Sequence, residues 1–142
     1  MVGQKCGRCC ARSGRDVAGV NVGHVRGTVD DGHRISVGLC DSPFRLEQAR
    51  KLAGMVEHVR PFSDVTVLCG DLNLLPSSET FTLLAEHGMT DLVGEADTRT
   101  SIYTKPIRSA GYLLVSSPAA VRSFEIIATP EVSDHRALML EI

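Results

Sequence analysis

The sequence has no run of about 18 apolar residues, so nothing in it has the length and character of a membrane-crossing helix. Its first residues, Met1-Val2-Gly3-Gln4-Lys5-Cys6, contain no apolar signal core. No basic excess is present either. Fifteen Lys and Arg face seventeen Asp and Glu, a formal charge of −2, so no global positive field draws the chain to nucleic acid. Internal repeats and low-complexity linkers are absent. Five cysteines, an odd number without a secretion signal, argue against a disulfide framework. Cys6 and Cys9 have zinc-like spacing, but no second Cys/His pair follows at finger-like spacing. A soluble, cytoplasmic protein is the expectation.

What is present is an ordinary globular balance: 43% apolar and 23% charged residues over 142 positions, enough for one domain with a real core. Residues 1–16 have no hydrophobic period and are rich in Gly, Arg, Cys and Ser, which predicts a disordered or non-native tail. The organised part is expected over residues 17–142. Val17–Val22 reads as a strand delivering Gly23-His24, and Asp30-Asp31-Gly32-His33 as a turn. Ser42-Pro43 reads as the entry to a helix carrying Ala49, Leu52, Ala53, Val56 and Val59 on one face, stopped by Arg60-Pro61. Val65–Cys69 reads as a strand that treats Cys69 as a small buried apolar residue. Pro76-Ser77-Ser78 opens a second helix with Phe81, Leu84 and Ala85 on its apolar face and Gly88 as its stop. Three strands follow, around Tyr112–Ser116, Phe124–Ile127 and Arg136–Ile142. Alternating helices and strands, then strands alone, indicate an α/β layered fold: a mixed sheet with packed helices.

Two clusters carry the chemistry. Gly70-Asp71-Leu72-Asn73 places a carboxylate and an amide at the carboxyl end of the first central strand. Asp71 and Asn73 alternate, so both can reach one side. A carboxylate there can orient a water while an amide donates to a phosphate oxygen. The alternative is an Asp-x-Asn turn bonding its own backbone. Ser133-Asp134-His135 places an acid and an imidazole before the last strand. Adjacent strand residues face opposite ways, so Asp134 and His135 must sit at a bend to share a site. Here the alternative is a Ser-Asp cap beside a surface histidine. His33, His58 and His87 read as solvated side chains. Arg99, Lys105 and Arg108 fall in a loop-rich stretch, where approach to a phosphate and a solvated basic surface account for them equally well.

Taken together, Gly70-Asp71-Leu72-Asn73 and Ser133-Asp134-His135, each beside an expected strand, resemble the endonuclease/exonuclease/phosphatase superfamily from about Val20 to Ile142. The resemblance implies the C-terminal half of a four-layer α/β/β/α sandwich and a phosphoesterase acting by activated water. It implies that Asp71 orients or activates the water, that Asn73 contacts the phosphate, and that His135 stabilises developing charge or moves a proton. Asp134 would help with metal or with water, and His24 would be a second phosphate-binding imidazole, one residue further from Asn21 than the family pattern has it. Magnesium or manganese is the implied cofactor. Nucleic acid, a lipid headgroup or a small phosphodiester would each serve as substrate. Two departures stand out. Gly111 replaces the aspartate that the family places before Tyr112 to orient the terminal histidine, leaving His135 either poorly held or held by another acid such as Glu131. The family's first half, with its metal-binding glutamate, is not in this chain, which leaves a sheet face for a second copy or another chain to cover. A non-catalytic remnant or interaction module of the same fold is the competing reading.

Overall fold

The structure, a computed structural model, describes residues 18–22, 25–29, 34–38, 45–104 and 109–142. The 1–16 tail, the 30–33 turn, the Ser42-Pro43 helix entry, His24, Lys105 and Arg108 lie outside these residues.

Among the described residues, eight strands and two helices follow in the order β1 (Ala18–Val22), β2 (Val25–Val29), β3 (Arg34–Gly38), α1 (Arg45–Val59), β4 (Val67–Asp71), α2 (Glu79–Glu86), β5 (Thr90–Asp91), β6 (Gly111–Val115), β7 (Ser123–Ile127) and β8 (Ala137–Glu141). Six strands form one sheet in the order β1-β2-β3-β4-β6-β5, and β7 pairs with β8 in a second. Only β3 and β4 run parallel, and they are joined through α1, since a parallel pair cannot be closed by a tight hairpin. The mixed sheet with packed helices expected from the sequence is therefore present.

The five apolar residues expected on α1, Ala49, Leu52, Ala53, Val56 and Val59, are all buried. Past Val59 the chain turns through a 3₁₀ segment, Arg60–Phe62, where Pro61 removes the backbone donor an α-helix needs. The second helix starts at its Ser78 cap, whose hydroxyl accepts from Thr80 N, and ends as expected at Gly88. Gly88 N donates to Ala85 O and Met89 N to Leu84 O, the Schellman pairing that needs a left-handed residue at Gly88, φ +77°. The buried stripe of α2 differs from expectation. It runs through Thr80 and Leu84, with Phe81 half-buried, and Ala85 is exposed. Thr80 and Leu84 are one i, i+4 step apart, which turns Ala85 outward on so short a helix.

The central strands explain the site's location. β4 and β6 pair antiparallel with Gly70 opposite Tyr112 and Asp71 opposite Gly111. Tyr112 packs on Phe81 of α2, with ring centroids 4.5 Å apart, so Tyr112, Leu114, Leu68 and Gly70 share the helix side. The opposite side carries Val67, Cys69, Asp71, Gly111, Leu113 and Val115 and faces the second sheet. A Cβ on Gly111 would meet Leu138 of β8 at 3.8 Å. Phe124, Ile126, Leu138 and Leu140 of β7 and β8 pack against this same core. With both faces covered, β6 is apolar at every position from Tyr112 to Val115 rather than alternating. Asp71 thus emerges at the end of β4 on the face that looks toward the second sheet.

Candidate functional site

The loop after β4 is fixed before its side chains are considered. Leu72 N and Asn73 N both donate to Ala110 O, at 2.8 and 3.3 Å. The buried Tyr112 hydroxyl donates to Leu74 O at 2.8 Å. These bonds tie residues 72–74 to the start of β6. Asn73 takes a left-handed conformation, φ +48°, which asparagine tolerates better than other residues with a side chain.

The second cluster is held from the other side. Arg136 N donates to Thr98 O and Thr100 N to Asp134 O, at 2.9 and 3.1 Å, so segment 98–100 pairs antiparallel with segment 134–136 and sets Arg99 opposite His135. The Thr98 hydroxyl accepts from Ala110 N and Gly111 N, both at 3.0 Å, and anchors this segment to β6. Ser133 and Asp134 form a bend ahead of β8, with His135 N donating to the Ser133 hydroxyl at 3.1 Å. That bend lets neighbouring residues Asp134 and His135 reach one point.

The point they reach is Arg99. Arg99 as a residue is only 5% exposed. One terminal nitrogen donates to Asp134 Oδ2 at 2.9 Å and lies 2.6 Å from His135 Nε2. The other donates to Asn73 Oδ1 at 2.8 Å and lies 4.0 Å from Asp71 Oδ1. The Tyr103 ring covers the guanidinium at 4.1 Å. Asp71, Asn73, Asp134 and His135, all expected from the sequence to share a site, thus converge on one buried cation. Arginine has no acceptor, so Asn73 must present its oxygen inward, which leaves its NH₂ to face outward.

His135 is pinned between two acids. Its Nδ1 lies 3.0 Å from Asp134 Oδ1 and its Nε2 lies 3.2 Å from Asp71 Oδ2. Glu131, suggested by the Gly111 replacement as the orienting acid, instead accepts from Ser101. Asp134 and Asp71 hold the ring because they flank it on both nitrogens, whereas Glu131 is turned to the 101 loop. The hydrogen bond that His135 donates to Asp71 raises the histidine pKa above its ordinary value. Partial burial and the Arg99 charge oppose this, and the charges of Asp71 and Asp134 reinforce it. One nitrogen cannot both accept from Arg99 and donate to Asp71. In the imidazolium, Nε2 donates to Asp71 and Nδ1 to Asp134. In the neutral ring, Nε2 accepts from Arg99. Two carboxylates against one guanidinium leave a net −1 around the ring, and the imidazolium cancels it.

The magnesium or manganese implied by the resemblance finds no fit here. Among the described residues no group of three or more His, Cys, Asp or Glu is placed to hold a metal ion. Asp134, the expected ligand, has one oxygen on Arg99 and the other on His135. The Asp71 and Asp134 carboxylates already face the Arg99 guanidinium and the His135 ring.

Sequence reading missed Arg99 as the centre of the site. Its motif, Thr98-Arg99-Thr100, resembles any polar β-branched loop, and only the pairing with segment 134–136 aims it inward. The role of the Tyr112 hydroxyl in holding the Asn73 loop was equally invisible.

No family model and no curated protein matches the sequence. Solved structures do. A 3'-5' exonuclease, NExo, from Neisseria meningitidis superposes with a TM-score of 0.63 at 21% identity, over 83% of this chain and 64% of that one. A 3' phosphatase NExo from Neisseria bound to a product DNA hairpin gives 0.56 at 19%, over 83% and 64%. The human Nocturnin catalytic domain with a bound sulfate anion gives 0.53 at 18%, over 82% and 52%. The chain spans under two thirds of the length of each of these structures.

Proposed function

We propose, from the endonuclease/exonuclease/phosphatase fold that this chain has, that it is the C-terminal part of a phosphoesterase domain whose reactive groups are Asp71, Asn73 and His135. The observation that carries this reading is the convergence of two carboxylates, an amide and an imidazole from two distant segments onto one guanidinium at the end of β4.

In this reading the outward NH₂ of Asn73 donates to a non-bridging phosphate oxygen. Asp71 orients a water and takes its proton as the water oxygen bonds to phosphorus. The ester P–O bond breaks, and the leaving oxygen takes a proton from the His135 imidazolium. The step leaves Asp71 protonated and His135 neutral. Asp71 Oδ2 and His135 Nε2 lie 3.2 Å apart, so the proton returns directly and resets the site. Imidazolium and guanidinium together offset the charge that gathers on the phosphoryl oxygens. No step is assigned to a metal ion, because the described residues do not fit one. His24 would join as a second phosphate-binding imidazole, and it lies outside the described residues.

Two of the similar structures are named for work on 3' nucleic-acid ends, one with bound DNA. A short DNA with a 3'-phosphate is therefore the first substrate to try, beside a generic phosphodiester, each with and without manganese. Hydrolysis is expected to fall at least about 100-fold in both Asp71→Ala and His135→Ala. Turnover unchanged in either variant refutes these roles. A folded protein that turns over neither substrate favours the non-catalytic reading.

A further inference from the structure

Arg99 does more in this site than any reactive group around it. Among the described residues it is the one side chain in contact distance of Asp71, Asn73, Asp134 and His135 together, it is nearly fully buried, and it is held by a backbone bridge. Burying a guanidinium is costly unless its charge is matched, and here Asp134 and Asp71 match it. Two atoms in the cluster remain without hydrogen-bond partners among the described residues, Arg99 Nε and Asp71 Oδ1, and both are buried. The Asp71 oxygen therefore owes its compensation to the nearby guanidinium charge at 4.0 Å rather than to a hydrogen bond.

We propose that Arg99 is the resident cation of this site: a positioning residue that neutralises Asp71 and Asp134 and orients Asn73 and His135 as a divalent ion would, and thereby keeps such an ion from the described residues. The proposal rests on reading this cluster as the reactive site, although its measurement needs no turnover. The physical reason is charge and space. A divalent cation drawn to Asp71 and Asp134 would stand within a few ångströms of a fixed positive charge. Even at an effective dielectric of about 20, unit charges about 4 Å apart repel by several kcal/mol. The oxygens of Asp134 and Asn73 that it would recruit are already accepting from Arg99. Guanidinium suits this post because its planar set of donors serves several acceptors at once, whereas an ammonium would act as a point charge.

The test is a manganese titration of the full chain, read by paramagnetic broadening of the His135 ring and the Asn73 side-chain amide signals. The wild type is expected to show no saturable broadening there at submillimolar manganese. Arg99→Gln removes the charge and is expected to gain saturable broadening at those signals, with affinity at least about tenfold above the wild type. Arg99→Lys keeps the charge and is expected to stay as refractory as the wild type, while losing the orientation of Asn73, seen as exchange-averaged amide signals. Adding Asp71→Asn to Arg99→Gln should abolish the gained binding. Saturable submillimolar binding at His135 in the wild type overturns the proposal, and this arm needs no variant to fold. Equal affinity in folded Arg99→Gln and wild type overturns it as well. A wild type that hydrolyses neither substrate while the manganese titrations come out as expected would count against the reaction scheme alone.

Discussion

Replacing Tyr112 by Phe tests whether the loop carrying Asn73 is held from beneath. The Tyr112 side chain is fully buried, and its hydroxyl donates to Leu74 O at 2.8 Å. Phe preserves the ring and its contact with Phe81 and removes only the hydroxyl, which also bonds the Ser109 side chain. A typical hydrogen bond contributes about 1 kcal/mol net, and leaving a buried acceptor unpaired costs about 1–3 kcal/mol. The expected loss is therefore about 2 kcal/mol, or roughly 6–8 °C in Tm for a chain of this length. Because Leu74 adjoins Asn73, substrate affinity should fall along with stability. Thermal unfolding of wild type, Tyr112→Phe and Tyr112→Leu gives the measurement. The Leu variant, which also loses the ring packing, should fall further. A Tyr112→Phe Tm within about 1 °C of the wild type refutes the claim that this bond secures the loop.

At Asn73, Gly should keep the backbone at its positive φ while Ala strains it, so Asn73→Ala is expected to be about 1 kcal/mol less stable than Asn73→Gly in denaturant melts. Both lack the amide, and both should lose hydrolysis. His135 has a folded pKa above the unfolded value of 6.5, so the stabilisation from its pairing with Asp71 is full below pH 6.5 and is lost as pH rises through the raised value. In Asp71→Asn this decline should flatten, and equal pH profiles for the two proteins would refute the pairing. At Gly111, a Cβ would meet its neighbours at 3.7–3.8 Å, ordinary contact distances. Gly111→Ala is therefore expected to be tolerated and to raise stability by about 0.5–1 kcal/mol through the unfolded chain, as chemical denaturation would show.

Local rules in the sequence determined the elements and named most residues of the candidate site. The buried face of α1 follows from residues three and four apart, the end of α2 from a glycine that accepts positive φ, and β6 from an unbroken apolar run. Asp71, Asn73, Asp134 and His135 were legible because short motifs beside strands recur where strand ends present polar groups. Strand limits were less legible. β4 runs over Val67–Asp71 rather than Val65–Cys69, because its pairing with β3 and β6 extends through Gly70 and Asp71, whose composition alone reads as a turn. The partners of His135 and the place of Arg99 belonged to tertiary structure alone. Arg99 lies 26 residues from Asn73 and 36 from His135 along the chain. No local pattern sets a charge between groups so far apart. The pairing of segments 98–100 and 134–136 does so, by burying a guanidinium where two carboxylates can neutralise it.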